Sequence, residues 1–85
     1  MHLKIQVKQK HIKAGRINDG GNCPIALACR DAAIVCPNVS TMWISYRGSD
    51  YYRRSTPLPQ KAIEFVDNFD NGKPVKPFSF VVVLK

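Results

Sequence analysis

Asn18-Asp19-Gly20-Gly21-Asn22-Cys23-Pro24-Ile25-Ala26-Leu27-Ala28-Cys29-Arg30-Asp31-Ala32-Ala33-Ile34-Val35-Cys36 is a loop that runs into a compact apolar block. Pro24 suits the first position of a helix, where a missing N–H costs nothing, so Cys23 or Asn22 is the expected N-cap. From Ile25 to Cys29 every side chain is small or apolar, and no polar face opens until Arg30 and Asp31. A helix that is apolar all round is buried on several sides. The spacing therefore predicts a central helix over 24–34, against which strands and a second helix pack.

Before this block, residues 2–8 alternate His2, Lys4, Gln6 and Lys8 with Leu3, Ile5 and Val7, the period of a half-buried strand. Gln9 to Ala14 predicts a single helical turn with Ile12 inward and Gly15 as a left-handed C-cap. Beyond the block, Pro37-Asn38 ends the helix. Residues 39–46 are rich in β-branched and aromatic side chains and predict a strand. Arg47-Gly48-Ser49-Asp50 is a turn, and residues 51–55 predict the return strand of a hairpin.

Thr56-Pro57-Leu58-Pro59 leads into a second helix, whose Ala62, Phe65, Val66 and Phe69 make one core-facing stripe over 60–71. Gly72 is its expected C′ residue, residues 73–77 an extended connector, and residues 78–84 a final strand. Phe80-Val81-Val82-Val83-Leu84 lacks polar alternation and predicts a strand inside the sheet.

The order is β-α-β-β-α-β, an α+β domain with two helices on one face of an antiparallel or mixed sheet. A ferredoxin-like split βαβ is the simplest topology for that order, with a less regular α+β arrangement as the alternative. Residues 1–85 make one small domain. Leu3, Ile5, Val7, Ile25, Leu27, Cys29, Ile44, Phe65, Val66, Phe69, Phe80 and Val82 are its expected core.

With 85 residues, 45% hydrophobic and 22% charged, the chain has the composition of a globular domain with room for one core. A core this small leaves a homodimer open. No apolar run is long enough to cross a bilayer, and the alternating N-terminus has no signal-peptide core. The expectation is a cytoplasmic protein without a membrane partner. Three cysteines, an odd number, speak against a disulfide framework.

The formal net charge is +7, and it is unevenly placed. Lys4, Lys8, Lys10, Lys13 and Arg16 precede the first acid, and Arg47, Arg53, Arg54 and Lys61 surround Asp50 alone. Such asymmetry favours a polyanionic partner.

The pattern His11-Ile12-x-x-Gly15, Cys23-Pro24-Ile25-Ala26-Leu27-Ala28, Leu58-Pro59 before a helix, and Phe69-Asp70-x-Gly72-x-x-Val75-x-Pro77-Phe78-x-Phe80 resembles a family of short orphan proteins carried by bacteriophages and prophages. The resemblance spans almost the whole chain. It implies a phage setting and brings no catalytic residues. The hairpin around Tyr51–Arg54 lies outside the pattern.

Four chemistries can be weighed. Cys23 at a helix N-terminus, with His11 as base, has the ingredients of a thiol nucleophile, but no acid is clearly placed to orient His11. His2, His11, Cys23, Cys29 and Cys36 have no zinc-ribbon spacing, and no metal or other cofactor is expected. Gly20-Gly21-Asn22 lacks the Lys and the leading strand of a phosphate loop. The strongest signal is arginine and lysine interleaved with tyrosine, suited to phosphate contact and stacking and equally to protein hot spots.

The expected working surface is thus Lys4, Lys8, Arg47, Tyr51, Tyr52, Arg53 and Arg54, with Tyr46 close by. The expected role is non-enzymatic binding: regulation or inhibition of a host protein or nucleoprotein complex, of anti-CRISPR or other anti-defence type. Direct binding of DNA or RNA is the alternative, and a cysteine-dependent enzyme centred on Cys23 a third.

Overall fold

Period-two alternation in the first strand does what it should. In β1 (His2–Val7) Ile5 and Val7 are buried and Lys4 and Gln6 exposed. A computed structural model describes residues 2–48 and 51–84 of the chain; Ser49 and Asp50 of the expected turn lie outside the described residues. The rest of the order is α1 (Gln9–Ala14), α2 (Pro24–Asp31), β2 (Asn38–Val39), β3 (Trp43–Arg47), β4 (Arg53–Pro57), α3 (Gln60–Asp70) and β5 (Phe78–Val83).

The class is α+β. The strands, however, divide into two antiparallel ladders, β1–β5 and β2–β3–β4, rather than forming the single sheet of a ferredoxin-like arrangement. At their seam the Thr56 hydroxyl of β4 donates to the Val83 carbonyl of β5 at 3.0 Å. The inward faces of both ladders, together with α2 and α3, enclose one core.

The central helix starts as its sequence dictates. Pro24 takes the first position, and the Cys23 sulfur caps the helix by accepting the Ala26 N–H at 3.4 Å. Pro24, Ile25, Ala26, Ala28 and Cys29 are buried, whereas Leu27 is only half-buried and drops out of the expected core. The helix ends at Asp31, short of residue 34. Ala33 turns left-handed (φ 68°) so that its N–H reaches Arg30 O and the Ile34 N–H reaches Cys29 O, each at 3.0 Å. This is a Schellman stop with alanine where glycine is usual. At the end of α3 the same stop does use glycine, Gly72 at φ 73°.

Four further expectations are corrected. Gly15 is not left-handed (φ −71°); it is glycine because a Cβ there would lie 2.5 Å from Pro24 Cδ, where α1 meets the start of α2. The buried side chain of α1 is His11, with Ile12 half-buried. The predicted strand over 39–46 breaks in two, because Ser40 accepts the Trp43 N–H on its hydroxyl at 3.2 Å and folds residues 40–43 into a turn. The return strand correspondingly starts at Arg53, later than residue 51, and ends on Pro57, tolerated because β4 is an edge strand.

The fourth correction concerns β5, which among the described residues pairs with β1 alone, and whose Val81 and Val83 face outward and are exposed. The inward residues of β5 behave as expected: Phe80 sits opposite Ile5 and Val82 opposite Leu3. Phe65 of α3 packs on Phe78 with ring centroids 4.8 Å apart, and Phe78 lies 5.5 Å from Phe80. Beside Phe65 and Val66, the core gains Ile34, Val39, Tyr46, Leu58 and Ala62.

Candidate functional site

The side chains with catalytic potential are split between the two ends of α2: Cys23 caps its first turn, and His11 of α1 reaches Asp31 at its last residue. His11 is 4% exposed. Its Nδ1 accepts the Lys8 backbone N–H at 2.9 Å, so in that state the ring proton sits on Nε2, which donates to Asp31 Oδ2 at 2.7 Å. The acid missing from the sequence reading is therefore present, twenty residues along the chain. Yet both ring nitrogens are engaged, and neither is left to take a proton from a nucleophile. The His11 hydrogen bond first, and then that from Lys10, holds the Asp31 carboxyl below its ordinary value.

Burial pushes the Cys23 thiol up, against the lowering pull of the Ala26 and Ile25 backbone N–H groups, and pushes Cys29 up to about 12. Protonated thiols are poor nucleophiles. In the preceding loop Asp19 accepts from the Gly21 N–H at 3.2 Å and from Asn22 Nδ2 at 3.1 Å, occupying donors a phosphate would use. Gly20 supports β2, its carbonyl accepting the Val39 N–H at 2.8 Å. Among the described residues no three His, Cys, Asp or Glu side chains are grouped to hold a metal.

The predicted basic surface falls into two parts. Lys4 and Lys8 are exposed and line a cleft of about 210 Å³ with Gln6, His11 and Asp31. Lys4 is in β1 of the β1–β5 ladder and Lys8 caps α1 just after it, apart from the hairpin. The other part is the outward face of β3 and β4. Register places Arg47 opposite Arg53, Ser45 opposite Ser55 and Trp43 opposite Pro57 on that face. Ile44 and Tyr46 point the other way; Tyr46 is buried, a correction to its place in the hairpin cluster. Arg54, opposite Tyr46, is half-buried and shares its inward parity.

Two like charges directly opposite on a sheet repel. Here each is held by a neutral group. The Arg53 guanidinium donates to Ser45 Oγ at 2.8 Å and to Cys36 O at 2.9 Å. The Arg47 guanidinium carbon lies 5.6 Å from the centre of the Tyr51 ring, a cation–π arrangement. Both charges are thus held in place, with no acid at the described strand positions of that face. Tyr51 is left-handed (φ 67°), a conformation that costs a non-glycine residue about 1–2 kcal/mol, and its ring is 80% exposed, with Tyr52 75% exposed.

Acids collect elsewhere: Glu64, Asp67 and Asp70 line a groove of about 600 Å³ against α3, with Met42 and Ile63. Trp43, not among the expected site residues, is 49% exposed at the far end of the Arg47 face. Its signal was available, since residues 43, 45 and 47 share one side of a strand. No helix among the described residues is long and apolar enough to cross a membrane. A scan against protein-family models and searches of curated proteins and of solved structures return no match for this chain.

Proposed function

We propose that this chain is a non-enzymatic binding protein whose contact surface is the outward face of the β3–β4 hairpin, and that its partner is anionic. The observation that carries the reading is the directly opposed pair Arg47 and Arg53, held beside the exposed Tyr51 and uncompensated by any acid at the strand positions of that face. An anionic partner would offset the repulsion between two arginines placed directly opposite each other. Lys4 and Lys8 add a second basic area on the neighbouring ladder.

The phage setting implied by the sequence resemblance gives this surface a role: regulation or inhibition of a host nucleoprotein in the host cytoplasm, of anti-CRISPR or anti-defence type. Direct binding to DNA or RNA is the second reading. It is favoured by the Arg47–Tyr51 pair, since a guanidinium next to an open aromatic face suits phosphate and base together.

Affinity capture from a bacterial host lysate, with and without nuclease, tests the proposal. The wild-type chain is expected to retain a partner that the Arg47→Glu/Tyr51→Ala variant loses. Nuclease-resistant capture supports a protein contact, and nuclease-sensitive capture a nucleic-acid one. Equal capture by wild type and variant would remove the hairpin face from the account.

A further inference from the structure

We infer that the outward face of β3 and β4 is a track for a single-stranded nucleic acid, with bases stacking at Trp43 and Tyr51 and phosphates meeting Arg47 and Arg53. This rests on the anionic-partner reading above and names the class of that partner. Along β3, Trp43, Ser45 and Arg47 face outward, and Pro57, Ser55 and Arg53 of β4 lie beside them. At about 3.3 Å per residue, Trp43 and Arg47 stand about 13 Å apart, with Tyr51 beyond. Between the two ends the strand positions of the face carry the small polar Ser45, Ser55 and Asn38, and the Arg53 guanidinium reaches in to rest on Ser45 Oγ, placing its charge partway along the path.

The Trp43 end is shaped as well as exposed. Trp43 walls a groove of about 570 Å³ with Pro57, Pro59, Val81 and Val83, at the seam between the ladders. That volume and apolar lining suit a flat ring inserted edge-on and stacked against the indole. At the other end Arg47 covers one side of Tyr51. Arg53 is held by the neutral acceptors Ser45 Oγ and Cys36 O, so its charge is oriented and not cancelled.

A duplex hides the faces of its bases and would engage only the arginines. An acidic peptide likewise has no use for stacking surfaces at both ends. Two aromatic platforms with fixed guanidinium groups near one of them match the alternation of base and phosphate in an unpaired strand.

Trp43 is the only tryptophan in the chain and so reports on its own site. The experiment follows its emission at fixed salt while adding a single-stranded oligonucleotide about 12 nucleotides long, the same sequence as a duplex, or heparin, a polyanion without bases. Affinities of variants are read from the anisotropy of a labelled oligonucleotide. The single strand is expected to quench Trp43 and to bind about tenfold or more tighter than the duplex. Trp43→Ala should lose about tenfold in single-strand affinity and leave heparin binding unchanged, with Trp43→Phe retaining most of the affinity.

Equal binding of all three polyanions with Trp43 emission unmoved would overturn the single-strand inference and leave the anionic-partner reading standing. Failure of all three to bind would overturn both. Trp43 emission that changes on dilution without nucleic acid, together with a dimer in sedimentation, would put a second copy in the groove and also overturn the inference. Thermal midpoints of both Trp43 variants near wild type are expected, and Trp43→Phe keeps the test decisive if Trp43→Ala unfolds.

Discussion

The surroundings of α2 and the outward face of the β3–β4 hairpin are two regions with reactive or charged side chains, and they dispose of that capacity in opposite ways. Around α2, the His11 ring bonds at both nitrogens, Asp31 takes His11 and Lys10, Asp19 closes on its own loop, and the Cys23 sulfur caps a helix. There each polar group is paired with a neighbour of the fold, buried at His11 and exposed at Asp31 and Lys10. On the hairpin, Arg47 and Arg53 are held in place by neutral groups and their charge faces water with Tyr51. Satisfied polar groups stabilise a fold; oriented, uncompensated ones are available to a partner. The contrast supports reading the first region as architecture and is the ground on which recognition is proposed for the second.

The largest expected effect strikes the frame both regions share. Phe65→Ala removes the ring that joins α3 to Phe78 and should cost about 3–5 kcal/mol, enough to unfold so small a domain in a denaturant melt. Next, His11→Ala strips the Lys8 N–H of its acceptor and leaves Asp31 with Lys10 alone, and should cost about 1–3 kcal/mol, while polyanion binding stays unchanged once the variant is folded. A folded His11→Ala that loses binding would break the contrast.

A smaller effect has the opposite sign. Ala33 holds a left-handed position that glycine adopts freely, so Ala33→Gly should stabilise by about 0.5–1 kcal/mol in thermal or urea unfolding. The smallest concerns acid. Because the folded-state pKa of Asp31 is depressed, its contribution is complete above the unfolded carboxyl value and fades as pH falls through the lower folded one. Asp31→Asn should therefore lower stability at neutral pH and flatten the acid limb of the stability profile.

What could be read from the chain follows one-sided burial. Alternation in β1 and the stripe Ala62, Phe65, Val66 and Phe69 were legible because each element buries one face and wets the other. β5 was misjudged for the converse reason: Val81 and Val83 are apolar yet exposed, so composition could not show which face is covered. The stop at Ala33 carried no glycine to announce it, and the break at Ser40 depends on a side chain capturing the Trp43 N–H. The bond from His11 to Asp31 spans twenty residues and required the fold.

Of the expected surface, Arg47, Tyr51, Tyr52 and Arg53 are exposed at or beside the hairpin tip. Lys4 belongs to the other ladder and Lys8 to the start of α1, and Arg54 is half-buried with inward parity.

The most direct test of the contrast is one titration, repeated for three proteins. Wild type, Arg47→Glu and Cys23→Ser are titrated with a single-stranded oligonucleotide over a series of salt concentrations. Wild type and Cys23→Ser should bind alike, with affinity falling steeply as salt rises. Arg47→Glu should bind more weakly with a shallower slope, because fewer counterions are released, and its thermal midpoint should stay close to wild type. A silent Arg47→Glu beside an inactive Cys23→Ser would contradict the account and move function to the start of α2.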